Sequence, residues 1–328
     1  MKGSLRFVSC WLIACLFILF GLVRRAKAKA FKGEYILSIY FHKPSSNEFE
    51  NCIKWLKSKG FQFLSTNEVH AIMERQLPFP KGAVVLTVDD GWYSNKRNIA
   101  EVSEKYQVPV TIFVSTDPVE QGAYWWSYVE EAQRRKLCNT SVEQLKLVPN
   151  EKRLVLVNEL QQKLHLPREA MTMRQIQQIA ASKWVTIGGH TLSHPILNNC
   201  TTEQVYQELN QSKKKLQSWT GQPIDYFAYP NGDYSKREIQ LLSDFGYKLA
   251  FTVRPDYLYE HKLRDRYELP RFEVIENASF AETICRLMGV WEPIMLRLRK
   301  LLTIQRKTSS QIGTPYAGRE EDAPVLNF

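Results

Sequence analysis

Two short stretches carry the residue types of a hydrolytic metal site. In Val84-Val85-Leu86-Thr87-Val88-Asp89-Asp90-Gly91 an apolar run stops at two adjacent carboxylates and a glycine. In Gly188-Gly189-His190-Thr191-Leu192-Ser193-His194-Pro195 two histidines follow the β-branched run Val185-Thr186-Ile187. One carboxylate and two imidazoles are sufficient protein ligands for a catalytic zinc-type ion, with a coordination position left for water. The second acid could then stay free to take a proton from that water. Adjacent residues can divide the work in this way where the strand ends and the backbone bends, which Gly91 permits. Asp-Gly is also ordinary turn punctuation, and a lone histidine is more often structural than a ligand. The acidic pair favours a site because it is matched by a histidine pair at a second strand end.

Strands must deliver both stretches. Residues 84–88 read as a strand buried on both faces, and residues 185–188 as another. Ligands of parallel sheets sit outside the carboxyl ends of the strands, so the acids and the histidines would share one rim. Pro195 biases His194 away from helix, which places the histidines on a loop.

The surrounding pattern alternates. Tyr35-Ile36-Leu37-Ser38-Ile39-Tyr40-Phe41 reads as a first strand that ends at His42. Ser45 with Glu48 makes a capping box for a helix closed by Gly60, and Ser65 with Glu68 caps a second. Residues 61–64 and 110–114 are further strands, with a helix near 95–106 between the acidic pair and the latter. Thr172 with Gln175 and Thr201 with Gln204 cap later helices, while 224–229 and 247–253 read as strands, 235–245 as a helix and 267–274 as extended. This βαβαβα order implies a mainly parallel sheet with right-handed crossovers, an α/β fold. Residues 117–170 break the alternation and read as a helical insertion that opens with Tyr124-Trp125-Trp126. Trp125 and Trp126 could stack on sugar faces or fill a core.

The chain has room for one large α/β domain with extensions, at 328 residues and 44% hydrophobic content. Lys and Arg exceed Asp and Glu by 44 to 34, and much of the excess falls at 24–29 and 297–307. An anionic membrane surface explains such flanking charge at least as well as nucleic acid does, and no nucleic-acid motif is present. Residues 7–23 carry no charge and lie between Arg6 and the cluster Arg24, Arg25, Lys27 and Lys29. They read as a signal peptide or an uncleaved membrane anchor, with an exported, periplasmic or extracellular body. The expected organisation is therefore a membrane segment over 1–30, a catalytic domain over 31–290 with its insertion at about 117–170, and a basic helix and disordered tail over 291–328. Cys52, Cys138, Cys200 and Cys285 are scattered and read as free structural thiols.

Thr87-Val88-Asp89-Asp90-Gly91 resembles the first motif, and His190-Thr191-Leu192-Ser193-His194 the second, of the polysaccharide deacetylases with a NodB homology domain (carbohydrate esterase family 4). Tyr226-Phe227-Ala228-Tyr229-Pro230-Asn231-Gly232 resembles the third, so that the likeness covers roughly residues 35–274. It implies a distorted (β/α) barrel of the NodB type, a divalent metal usually taken to be zinc, and hydrolysis of acetyl groups from amino sugars. By position it makes Asp89 the catalytic base and Asp90, His190 and His194 the metal ligands. Asn231 takes the place of the backbone N–H oxyanion donor, with Tyr229 and Pro230 in the same pocket loop.

Two positions depart from the family pattern. The arginine that usually opens the third motif is Ala228 here, and the only histidine after His194 is His261, in a charged segment. The circularly permuted branch of poly-N-acetylglucosamine deacetylases begins with a strand ending in histidine, which Tyr40-Phe41-His42 resembles. His42 is accordingly the candidate acid for the leaving amine, and Arg271, in Leu269-Pro270-Arg271-Phe272, the candidate partner of Asp89. His70 and His165 read as solvated. The expected function is metal-dependent deacetylation of an N-acetylated polysaccharide. An O-acetyl esterase, a small-molecule C–N hydrolase on the same metal site and a non-catalytic glycan-binding module are the alternatives.

Overall fold

The protein was studied as a computed structural model that describes residues 2–298. Residues 291–298 are helical, as the basic stretch suggests, while the rest of that stretch and the tail expected to be disordered lie outside the described residues. The sheet is built from β1 (Leu37–Phe41), β2 (Gln62–Leu64), β3 (Ala83–Val88), β4 (Val110–Val114), β5 (Val185–Gly189), β6 (Tyr226–Ala228), β7 (Leu249–Phe251) and β8 (Phe272–Glu273). Their order is β7-β6-β5-β4-β3-β1-β8, and every pairing between them is parallel. β1, β3 and β4 are buried along their whole length, as expected of continuous apolar strands covered on both faces.

The curl of this sheet has a local origin. β2 and β4 share one edge of β3: Gln62, Phe63 and Leu64 pair with Ala83, Val84 and Val85, whereas Thr111 and Ile112 pair with Thr87 and Val88. The sheet therefore divides along β3 and bends. The distorted barrel expected from the sequence takes the form of an open half-barrel, in which β7 and β8 do not pair. A single bridge from Phe251 to Leu269 links the two ends. Pro270 offers no N–H directly after that bridge, and the extended stretch read at 267–274 is reduced to the two residues of β8, which pair with β1.

The helices start where the capping boxes lie. Ser45 with Glu48, Ser65 with Glu68, Thr172 with Gln175 and Thr201 with Gln204 begin the helices Ser46–Ser58, Thr66–Met73, Met173–Ala180 and Thr202–Thr220. The stretch after the acidic pair is less regular than predicted, winding as a π-helix over Lys96–Ala100 before Glu101–Tyr106 continues as α-helix. Asn98, inside that wider turn, donates to the Pro44 carbonyl at 2.9 Å. The insertion opens with the short helix Thr116–Gln121, and the helices Trp125–Arg134, Val142–Leu145 and Asn150–Lys163 that follow surround a small core that includes Val129, Ala132, Val157 and Leu160.

Residues 7–23 fall on two helices, Lys2–Leu19 and Leu22–Lys32. Among the described residues no single helix is long and apolar enough to cross a membrane; this pair passes such a test only together, with a bend of 56°. The bend is made at Gly21, whose φ of 73° suits glycine. The boundary expected at residue 30 falls within the second helix. All six cysteines are free.

Candidate active site

The turn after β3 sends its two acids in different directions. Asp90 and Gly91 both have positive φ, 75° and 86°, and a side chain at residue 91 would meet Val114 at 3.1 Å. Glycine is therefore required at 91 to fold the rim back on β4. Asp89 turns inward to Arg271. The guanidinium donates to Asp89 Oδ1 and Oδ2 at 2.8 Å each, to Thr87 Oγ1 at 2.9 Å and, through Nε, to the Thr252 carbonyl at 3.0 Å. Arg271 is fully buried and lies over the Tyr40 ring, 4.4 Å from its centroid. Burial by itself would raise the Asp89 pKa, but Arg271 outweighs it and holds the carboxyl below the usual carboxylate range.

Asp90 turns to the histidines. Its Oδ1 lies 3.4 Å from His190 Nε2 and 3.3 Å from His194 Nε2, and its Oδ2 accepts from Trp92 Nε1 at 2.9 Å. His190 Nδ1 is 2.7 Å from the Ala228 carbonyl oxygen and must donate to it, which leaves Nε2 with a free lone pair. Burial pushes the His194 pKa down, toward the neutral form that binds metals. The three ligand atoms lie within 4.8 Å of one another, and all three residues are buried. A carboxylate oxygen and two imidazole nitrogens converging in this way fit a divalent cation.

The loop that carries the histidines is held from behind. A side chain at Gly188 would meet the Phe113 ring at 2.4 Å, so glycine allows β4 and β5 to approach. Thr191 and His194 have φ of 67° and 54°, a non-helical path in keeping with Pro195. Glu208, on the helix Thr202–Thr220, accepts from the Leu192 and Ser193 N–H groups at 2.9 and 2.8 Å and from Ser193 Oγ at 2.6 Å. Trp125 Nε1 donates to the His194 carbonyl at 3.0 Å.

Asp89, Asp90, His190 and His194 face one cavity of about 590 Å³, shared with His42, Trp126 and Asn231. His42 comes from the end of β1, where its carbonyl accepts from Asn95 Nδ2 at 2.9 Å and its Nδ1 lies 3.6 Å from Glu273 Oε1. Burial works against its protonation, yet the carboxylates of Asp90, Asp89, Glu273 and Glu276 prevail and raise its pKa. His261 is exposed, stacks on Tyr259 and does not line this cavity. His165 is exposed as expected; His70 is only half-buried, 3.6 Å from Glu74.

The third stretch contributes less than expected. Asn231, at φ 54°, reaches the cavity wall, whereas Tyr229 and Pro230 are buried and absent from it. Tyr229 stacks instead on Tyr234, with ring centroids 4.6 Å apart. Both paired tryptophans line the cavity; Trp125 is 5% exposed and also belongs to the core of the insertion. Trp126 is half-buried, its ring 4.8 Å from that of His194. Sequence reading missed Trp92, Glu208, Glu273, the Ala228 carbonyl and Tyr124, whose hydroxyl donates to the Asp90 carbonyl at 3.3 Å. Trp92 lies two residues from the Asp90 carboxylate it donates to, but its spacing alone does not signal a hydrogen bond; the others act on residues far along the chain or through their backbone.

Comparison with known proteins agrees with this architecture. A family profile described as polysaccharide deacetylase matches residues 76–250. The chain is 24% identical over 208 residues to the Bacillus subtilis (strain 168) protein YxkH, covering 63% of this chain and 58% of that protein's length. It is 24% identical over 249 residues to a poly-beta-1,6-N-acetyl-D-glucosamine N-deacetylase of Staphylococcus aureus (strain MRSA252), covering 76% of this chain and 73% of the relative. Similar folds are found in the Streptococcus pyogenes deacetylase PplD, at TM-score 0.58 and 19% identity over 77% of this chain and 98% of that one. IcaB from Ammonifex degensii has a TM-score of 0.57 and 19% identity, over 78% of this chain and 97% of that one.

Proposed function

This chain belongs to the polysaccharide deacetylase family, and we propose that it hydrolyses the N-acetyl groups of a polysaccharide, of the β-1,6-linked N-acetylglucosamine class that its staphylococcal relative's name specifies. One observation carries this reading: an Arg-held carboxylate, Asp89, stands beside a buried Asp-His-His cluster in one cavity with a histidine from β1.

Asp90, His190 and His194 would hold a divalent cation, and the donor set favours zinc. When bound, such an ion polarises an amide carbonyl and makes a water molecule more acidic. The remaining steps belong to side chains of this protein. Asp89, kept ionised by Arg271, accepts the proton of the attacking water. The Asn231 N–H supports the carbonyl oxygen as it gains negative charge. His42, whose proton is retained by the surrounding carboxylates, passes it to the sugar nitrogen as the C–N bond breaks, leaving acetate and a free amine. Trp126 offers a flat apolar face to a sugar ring. The apolar residues 7–23 and the basic residues on both sides of them support an exported enzyme attached to a membrane.

The test is acetate and free-amine release from β-1,6-linked N-acetylglucosamine oligomers by the zinc-loaded full chain. Equal yields of the two products are expected, and Asp89→Asn should abolish both while metal content persists. Acetate release confined to O-acetylated glycans would replace this reading with an esterase. Oligomer binding without acetate release would make the protein a glycan-binding module.

A further inference from the structure

The N-terminal helices are built into the catalytic body. In Leu22–Lys32 the buried Ala30 accepts, through its carbonyl, the Gly82 N–H at 2.8 Å, and the Ala26 carbonyl accepts the buried Tyr35 hydroxyl at 2.7 Å. Phe31 packs edge-on against Phe61, 5.1 Å between centroids, and closely enough on Gly82 that a Cβ there would meet its ring at 2.9 Å. These contacts cover the start of β1 and the turn before β3. Cleavage after Ala28 or Ala30, the small-residue sites that a signal peptidase would use, would remove the acceptor for Tyr35.

The first helix, Lys2–Leu19, is apolar on two sides, and the body covers only one. Ala14 is fully buried and its carbonyl accepts from Cys285 Sγ at 3.6 Å, while the Phe17 ring lies 5.8 Å from that of Trp291. Cys10, Ile13, Ala14 and Phe17 thus form one helical stripe against the body. The opposite side holds Phe7, Trp11, Leu12 and Leu16, and Leu19 and Phe20 follow at its end; these six are between 45% and 78% exposed. A surface helix in water would carry polar side chains there. Arg6 at one end and Arg24 and Arg25 just beyond the bend are exposed, so cations flank the uncovered apolar face.

We propose that these two helices are a permanent part of the folded enzyme and lay the uncovered face of Lys2–Leu19 along an anionic lipid bilayer, neither crossing it nor being removed by processing. Apolar residues enter the acyl boundary and the flanking arginines meet acidic headgroups, the chemistry of an interfacial helix. Spanning would require the stripe around Ala14 to leave the body.

Three measurements on the full chain test this: the mass of the protein recovered from cell membranes, flotation with lipid vesicles, and thermal unfolding. We expect the recovered protein to retain both helices, Lys2–Leu19 and Leu22–Lys32. It should float with vesicles containing phosphatidylglycerol, and about tenfold less with phosphatidylcholine alone. Trp11→Glu combined with Leu12→Glu should lower flotation about tenfold or more, with the unfolding temperature and acetate release from soluble oligomers unchanged. Ala14→Glu, on the covered stripe, should instead lower the unfolding temperature. A mature chain that has lost the helix Lys2–Leu19 would overturn the proposal. So would undiminished flotation of the double variant, an Ala14→Glu protein as stable as the parent, or a dimer that buries the uncovered face and does not bind vesicles.

Discussion

Arg271 grips both oxygens of Asp89 at 2.8 Å from 182 residues away in the chain, and neither residue has meaningful exposure to water. The pair gives Asp89 a fixed orientation and an ionised state at neutral pH. A lysine at 271 would keep the charge but lose the fork that fits a carboxylate. We expect Arg271→Lys to lower kcat by about 10²-fold. The acidic limb of its pH–rate profile should move upward, because Asp89 then protonates at higher pH. Arg271→Met leaves a buried carboxylate without a partner, and denaturant titration should show a loss of about 3–5 kcal/mol.

Metal content separates the two acids. Asp90→Asn, His190→Ala and His194→Ala each remove a candidate ligand, so elemental analysis should find sub-stoichiometric metal together with lost acetate release. Asp89→Asn should bind metal normally and still be inactive. Chelation of the parent protein should abolish turnover, and added zinc should restore it. Turnover that survives complete chelation would exclude the cluster from the reaction.

Glu208 touches no candidate ligand side chain but accepts two backbone N–H groups and a hydroxyl from the loop between His190 and His194. In Glu208→Ala these donors become unsatisfied, at about 1–3 kcal/mol for each one that stays buried. We expect about 10–100-fold weaker metal binding in a zinc titration, larger than the change in substrate KM at saturating metal. Unaltered metal affinity would show that the loop holds its shape without Glu208.

His42 should set the alkaline limb of activity. Its raised pKa keeps it protonated to higher pH than an ordinary histidine, and turnover should fall as pH rises through that value. Glu273→Gln removes one nearby carboxylate, so the alkaline limb should shift to lower pH with metal content unchanged. His42→Ala should cost about 10²–10⁴-fold in kcat at equal metal loading. An alkaline limb at the same position in both variants would assign the acid elsewhere.

The features legible in the sequence are those that repeat locally. The acidic pair and the two histidines lie at strand ends because apolar runs and capping boxes mark the strands and helices around them, and those boundaries are visible within a few residues. Arg271 and His42 were reachable only as replacements for two missing residues, since nothing near Pro270 or Phe41 announces a partner for Asp89. Glu208 and the Ala228 carbonyl were not reachable at all. Their roles depend on which helix crosses behind which loop, a property of the assembled sheet. The N-terminal stretch illustrates a different limit: an apolar run between basic clusters looks the same whether its helix crosses a bilayer or lies against a protein with one face uncovered.

The seam between β7 and β8 gives the Arg271–Asp89 pair a second meaning. Where the strands fail to join, Arg271 reaches from the chain beside β8 to the Thr252 carbonyl just after β7 and to Asp89 at the rim of β3, fastening the sheet's two ends to its middle. The fastening residue is also among the last parts of the body to be synthesised. A chain emerging from the ribosome displays Asp89, Asp90, His190 and His194 long before Arg271 arrives to close the seam. Until then Asp89 lacks the partner that holds both its oxygens, and a truncated product would carry every candidate metal ligand with Asp89 unlatched.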